Sequence, residues 1–269
     1  MEYGAAKQKL IDAGLALDVA GLGDFTRGHV SLRVPGRVSQ FFMKPHSFGL
    51  DEITPENIVT CNLDGAKIAG GGRRHSEVFI HSEIFKARPD VHAIVHAHPK
   101  FAIAFSMLGL ELQPLSQPGA EFIDGVGVYD DTIDLIRSAD TGARVAQALG
   151  ARKAAFLQSH GVVVVGKTLE ECVILSITLE NACETQLIIV STGRTPKMFP
   201  LPEIRSLSEK MGMPEIYDVN FNYLVRKAKS LRGRRADDHG ALPLRKSSPE
   251  KSGFFIIRGA SELTPYIDN

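Results

Sequence analysis

The segment Val91-His92-Ala93-Ile94-Val95 is a β-like run that leads straight into His96-Ala97-His98-Pro99. Proline has no N–H to give to a ladder, so the strand ends there. Side chains alternate faces along a strand, which puts His96 and His98 on one side, roughly 7 Å apart. Two imidazoles converging from one strand end make half of a metal site. Ile94 and His92 have the same parity, but the apolar Ile94 separates His92 from the pair, and His92 stays outside the expected site. An apolar strand of this kind needs cover, and the surrounding text supplies it as an α/β arrangement with helices flanking a sheet on both faces.

Residues 5–22 carry apolar side chains at helical spacing (Leu10, Ile11, Leu15, Leu17, Val19, Ala20) and break at Gly21-Leu22-Gly23-Asp24. Three β-like runs follow, at 30–34, 38–43 and 57–63, punctuated by turns at Pro35-Gly36 and Asp64-Gly65. Gly70-Gly71-Gly72 forms a loop before a helix over 76–88, which stops ahead of Pro89. After the 92–98 strand come a helix over 101–108, loop-like text near 114–118 and a helix over 141–149. Strands at 154–158 and 162–165 flank His160-Gly161. Thr168 and Glu171 form a capping-box pattern that opens a long helix to about residue 191. Residues 198–231 read as helical pieces split by Pro200, Pro202 and Pro214. Beyond them the composition turns to Arg, Lys, Ser, Asp, Gly and Pro. The expected division is a domain at 1–231 and a poorly ordered tail at 232–269, in which 254–257 could re-dock as a short edge strand.

Composition narrows the function. The 269 residues suffice for one large domain or two small ones. Lys plus Arg balance Asp plus Glu at 31 each, which leaves no global field to attract nucleic acid or an anionic membrane. No apolar run approaches the roughly 20 residues that span a bilayer. Met1-Glu2-Tyr3-Gly4 lacks the layout of a secretory signal. Cys61, Cys172 and Cys183 are widely spaced with no CxxC, which argues against a disulfide framework or a cysteine–zinc site. A reduced, cytoplasmic protein with a small-molecule substrate is expected. Nine histidines stand out, four of them between His81 and His98.

His160 ends another apolar strand, and Gly161 after it permits a tight turn under a ligand. Glu77 opens a helix just past the triple glycine. A carboxylate at that positive helix end is either a fourth ligand or an acid/base. Taken singly, these features have ordinary explanations. Strand histidines also serve as hydrogen-bonded residues, and His29, His46, His75 and His81 could each lie on the surface. The triple glycine lacks the Lys-Ser/Thr ending of a phosphate loop, and no GxGxxG opens a helix after a strand, so a nucleotide role is disfavoured.

Their order carries more. Gly28-His29-Val30-Ser31-Leu32-Arg33, Met43-Lys44-Pro45, Ser76-Glu77, His96-Ala97-His98-Pro99 and Ser159-His160-Gly161, in that succession, resemble the class II aldolase/adducin family over about residues 5–195. The resemblance implies a three-layer α/β/α sandwich with a mostly antiparallel central sheet, and a homotetramer with active sites at subunit interfaces. It implies His96, His98 and His160 as metal ligands and Glu77 as an acid/base able to approach the metal. Three-imidazole sites suit Zn, Mn, Fe or Co. Likeness to the family's decarboxylases favours Mn2+, with Zn2+ as the alternative.

Three slots depart from the family's sugar-phosphate enzymes. Where those hold phosphate with small polar residues, this chain has His29, His46-Ser47 and His75-Ser76, with Arg73-Arg74 alongside. A phosphate dianion wants a tight cradle of backbone and hydroxyl donors. Imidazoles and a guanidinium suit a carboxylate-bearing ring better. His29, His46, Ser47, Arg73, Arg74, His75 and Ser76 are therefore the expected substrate-binding residues. The aldolase tyrosine that protonates the departing fragment would fall near Gln117, which cannot act as that acid. The resemblance thus points to a decarboxylase branch acting on ortho-hydroxy (hetero)aromatic dicarboxylates. The expected substrate is 3-hydroxy-2-methylpyridine-4,5-dicarboxylate of vitamin B6 breakdown, with 3,4-dihydroxyphthalate as a sister. A sugar-phosphate aldolase or epimerase is one alternative; a non-catalytic adducin-like scaffold, which would have no use for the three histidines, is the other.

Overall fold

The computed structural model describes residues 2–238. Most of the expected tail, including the edge strand at 254–257, lies outside the described residues. Residues Met1–Arg232 form one compact unit. Its strands are β1 (His29–Val34), β2 (Arg37–Met43), β3 (Val59–Asn62), β4 (Lys67–Ala69), β5 (Ala93–Ala97), β6 (Gly127–Tyr129), β7 (Ala154–Leu157) and β8 (Gly161–Gly166). The α-helices among the described residues are α1 (Glu2–Leu17), α2 (Val78–Ala87), α3 (Lys100–Ser106), α4 (Gln117–Ala120), α5 (Ala139–Leu149), α6 (Leu169–Ser191), α7 (Leu201–Met211) and α8 (Pro214–Asp238).

The strands form one eight-stranded sheet in the order β4-β3-β2-β1-β5-β8-β7-β6. The sheet is mixed, which corrects the expected mostly antiparallel pattern. β6 pairs with β7 in parallel, whereas the pairs from β4 through to β7 are antiparallel. The cause is the connection: α5 carries the chain from β6 back to the end where β7 starts, and such a crossover makes neighbours parallel. β6 has only three residues, too few to show an alternating pattern. β4, equally short, and α4 were also missing from the sequence reading.

Alternation along the strands builds two cores. Val30, Val95, Ala97, Phe156, Val162 and Val164 pack with side chains of α1, α3 and α6, including Leu10, Phe105 and Leu175. Phe41, Ile94, Ala155, Val163 and Val165 pack the other way, with Ile80 and Ile84 of α2 and Val145 and Leu149 of α5. Val162, Val163 and Val164 are wholly buried, and burying each such side chain contributes about 1.5–3 kcal/mol. Side-chain caps set helix starts. Ser138 accepts the Thr141 N–H, so α5 begins before residue 141. Thr168 accepts from Glu171 N as the capping pattern requires.

One exclusion needs correction. By length and apolar content α6 would pass as a bilayer-crossing helix. Its Cys172, Val173, Leu175, Leu179 and Cys183 are instead buried against the sheet. A core helix meets the same test because it too must be apolar over many turns.

Register places the site. His29 on β1 lies directly across from His96 on β5, and Ser31 across from Ile94. β5 pairs on its other side with β8, whose first residue follows His160. His92, at the far end of β5, is exposed and outside this cluster.

Candidate active site

His96, His98 and His160 each offer a ligand atom, all within 4.8 Å of one another. Two strand ends and a tight turn hold them there. Gly161 lets β8 start against β5: a Cβ on it would come 2.5 Å from Ala97 O and 2.9 Å from His98 Cδ2. Ser159, just before His160, adopts a left-handed φ of 61° and gives its N–H to Ser106 Oγ.

Hydrogen bonds behind the rings fix what they present. His96 Nδ1 lies 3.0 Å from Val162 O, and a carbonyl only accepts, so Nδ1 carries the hydrogen and Nε2 keeps its lone pair. His98 Nδ1 is likewise 3.0 Å from Asp24 Oδ2, a carboxylate behind an imidazole of the sort that orients a metal-binding ring. His96 Nε2 and His160 Nε2 are buried without a hydrogen-bond partner. Buried polar atoms in that condition cost free energy unless something binds them. The donor set fits a divalent ion held by three neutral imidazoles.

Glu77 occupies the N-cap position of α2 without a side-chain capping bond and is 3% exposed. Its Oε1 accepts the Ile136 N–H at 3.0 Å and lies 3.6 Å from His160 Nε2. Its Oε2 lies 3.8 Å from His29 Nε2 and 4.0 Å from His96 Nε2. Burial raises the Glu77 pKa above the usual carboxylate range, opposed by the Ile136 N–H. His29, Glu77 and His96 form a second close group, wholly buried. From the rim inward the imidazoles make a ladder: His46 to His75 at 5.1 Å between ring centres, His75 to His29 at 4.1 Å, His29 to His96 at 4.8 Å. Burial, with like charges nearby, lowers the pKa of each of these rings. His75 and His81 are pushed down to about 3 and His160 to about 4, chiefly by loss of water.

A cavity of about 540 Å³ opens onto this cluster, lined by His46, His75, Ser76, Glu77, His98 and His160 among others. A larger hollow of about 790 Å³ beside β6 holds none of the histidines, so size alone does not mark the site. Other expected substrate-binding residues lie elsewhere. His29 is wholly buried behind His75 and does not line the cavity. Arg74 turns away, its guanidinium 5.7 Å from the Phe79 ring. Arg73 reaches the His46 ring, with Nη2 2.9 Å from Nδ1, and Ser47 Oγ lies 2.6 Å from the same Nδ1. Sequence reasoning missed Asp24 and Arg27, which line the cavity and are bonded to each other at 2.9 Å. It also left His81 as a surface residue, yet His81 is wholly buried, with Nε2 2.6 Å from His29 Nδ1. The spacing Glu77–His81, one helical turn, was the available signal.

The family described as Class II Aldolase and Adducin N-terminal domain matches residues 8–187. Decarboxylase NovR of Streptomyces niveus is 32% identical over 202 residues, 74% of this chain and 73% of that protein. A 3,4-dihydroxyphthalate decarboxylase of Arthrobacter keyseri is 28% identical over 224 residues, 79% of this chain and 90% of that protein. Among solved structures, L-fuculose 1-phosphate aldolase from Glaciozyma antarctica PI12 aligns with a TM-score of 0.75 and 27% identity, covering 87% of this chain and 92% of the other. With the family's match spanning most of β1 to α6, and two decarboxylases among its relatives, this chain belongs to the class II aldolase/adducin family.

Proposed function

We propose that this chain is a metal-dependent carbon–carbon lyase that decarboxylates an ortho-hydroxy aromatic or heteroaromatic dicarboxylate. The observation that carries the reading is Glu77: a buried carboxyl 3.6–4.0 Å from three imidazoles, on the same cavity as His98. The names of the two decarboxylase relatives support the reaction class. The substrates proposed are 3-hydroxy-2-methylpyridine-4,5-dicarboxylate and 3,4-dihydroxyphthalate. His96, His98 and His160 would hold the ion, with Mn2+ proposed and Zn2+ the alternative.

When bound, a divalent ion there supplies Lewis acidity toward the ring oxygen next to the departing carboxylate. The protein's own groups do the rest. Glu77, whose protonated form burial favours, delivers its proton to the ring carbon as the bond to CO2 breaks; water afterwards restores the proton. Asp24 holds His98 in the tautomer that leaves Nε2 bare. His46 and His75, with Arg73 and Arg27 at the rim, anchor the carboxylate that stays on the ring by charge-assisted hydrogen bonds. Ile133 lines the same cavity yet is 68% exposed. A neighbouring subunit would cover it in the homotetramer with interface active sites that we propose.

The test is a panel run with added Mn2+ or Zn2+: the two hydroxy-dicarboxylates, their monocarboxylate analogues and L-fuculose 1-phosphate. CO2 release from a dicarboxylate with no sugar-phosphate cleavage is the expected result. Retro-aldol cleavage with no CO2 from any ring would put the chain with the aldolases.

A further inference from the structure

A chain of buried polar side chains runs away from the cavity behind Glu77, and the chemistry above leaves most of it unused. Ser31 Oγ lies 2.6 Å from His81 Nδ1, and His81 Nε2 lies 2.6 Å from His29 Nδ1. His29 Nε2 then faces Glu77 Oε2 at 3.8 Å and has no hydrogen-bond partner. Ser31, His81 and His29 are each wholly buried.

A neutral imidazole carries one N–H, so two patterns are self-consistent. In the first, Ser31 O–H donates to His81 Nδ1, His81 Nε2–H donates to His29 Nδ1, and His29 Nε2–H points at Glu77. In the second every donor is reversed. The Ser31 hydroxyl hydrogen then has no acceptor, because His81 is its only hydrogen-bond partner among the described residues. Buried donors without acceptors are rare because their lost hydration is not replaced. The first pattern gives that hydroxyl its acceptor. Nor is the chain a proton wire to solvent, since it ends at a buried serine.

The geometry points to Ser31 and His81 as positioning residues that lock His29 in the Nε2–H tautomer and aim that N–H at Glu77. This rests on reading Glu77 as the proton donor. Ile136 N–H already serves Oε1; His29 provides the donor on the Oε2 side, where it meets the negative charge that forms as Glu77 gives up its proton. An interaction that strengthens as charge develops acts on kcat more than on KM.

The test is nitrogen-15 NMR of the imidazoles in the full chain loaded with Zn2+, a diamagnetic ion, beside kinetics of Ser31→Ala, His81→Gln and His81→Leu. His29 and His81 should both show protonated Nε2 and bare Nδ1. Glutamine puts an amide N–H where His81 Nε2 sits, so His81→Gln should keep the His29 tautomer and most of kcat. Ser31→Ala and His81→Leu should mix the His29 tautomers and lower kcat about 10-fold, with KM and bound zinc within about twofold. A protonated Nδ1 on His29 would overturn the lock, and so would equal losses in His81→Gln and His81→Leu. If His81→Leu does not fold, the wild-type spectrum and Ser31→Ala decide. Nε2–H tautomers in a protein that releases no CO2 would uphold the lock and remove the decarboxylase reading instead.

Discussion

At the scale of single residues, the proposed metal cluster depends on buried nitrogens, His96 Nε2 and His160 Nε2, that have no hydrogen-bond partner. His98→Ala removes one of the three proposed ligands, so divalent-metal affinity should fall by orders of magnitude. Asp24→Ala keeps the ligand but frees the ring behind it, and loss of such a partner costs about 10- to 100-fold in affinity. His92→Ala, exposed at the other end of the strand, should leave metal content unchanged. Metal analysis after gel filtration checks all three, and equal metal in wild type and His98→Ala would refute the assignment. The rim makes a separate claim. Arg73 on the His46 ring and Arg27 beside Asp24 are proposed to hold the retained carboxylate. Replacing either by Gln should cost about 1.5–3 kcal/mol, the range for hydrogen bonds to charged groups, hence roughly 10- to 150-fold in kcat/KM, mostly through KM. A monocarboxylate analogue should lose a similar factor on wild type and little more on the variant.

At the scale of elements, the join between β5 and β8 is the tightest constraint on the site. Gly161→Ala would drive a Cβ to 2.5 Å from Ala97 O. Relief requires the strands to part, at a cost of about 1–3 kcal/mol for overpacking, and the parting separates His98 from His160. Denaturant unfolding should therefore show lower stability, and metal affinity should fall with it; unchanged affinity would mean the turn does not set the cluster. Most of this architecture was legible in the sequence. The HxHP strand end, His160-Gly161 and the helix after Thr168 show themselves through local rules of alternation, breaking and capping. β4 and β6, three residues each, were not legible because alternation needs a longer run. Asp24 and His81 stayed hidden for a different reason. Asp24 meets His98 across 74 residues and His81 meets His29 across 52, and beyond the one-turn spacing of Glu77 and His81 nothing local announces such partners. Arg74, adjacent to Arg73 in sequence, could not be told apart from it until the backbone turned one guanidinium to His46 and the other to Phe79.

At the scale of the whole molecule, burying so many imidazoles ties folding to pH. His75 and His81 are neutral in the native state, each with its pKa pushed down to about 3 by burial, while unfolded histidine titrates near about 6.5. Between those values the unfolded chain binds more protons, so stability is full above pH 6.5 and is lost as the pH falls toward 3. Each group contributes a slope of about 1.4 kcal/mol per pH unit in that window. His81→Gln should reduce the slope of unfolding free energy by about that amount in urea titrations from pH 7 to 5; an unchanged slope would mean His81 is not held neutral. One measurement tests the proposed decarboxylation most directly. Substrate labelled with carbon-13 in the carboxyl beside the ring hydroxyl is given to metal-loaded wild type and to metal-loaded Glu77→Gln. Labelled CO2 should form with the wild type and about 100-fold or more slowly with the variant, a typical size for general acid catalysis, with equal metal in both. No labelled CO2 from the wild type, or equal rates from the two proteins, would contradict the account.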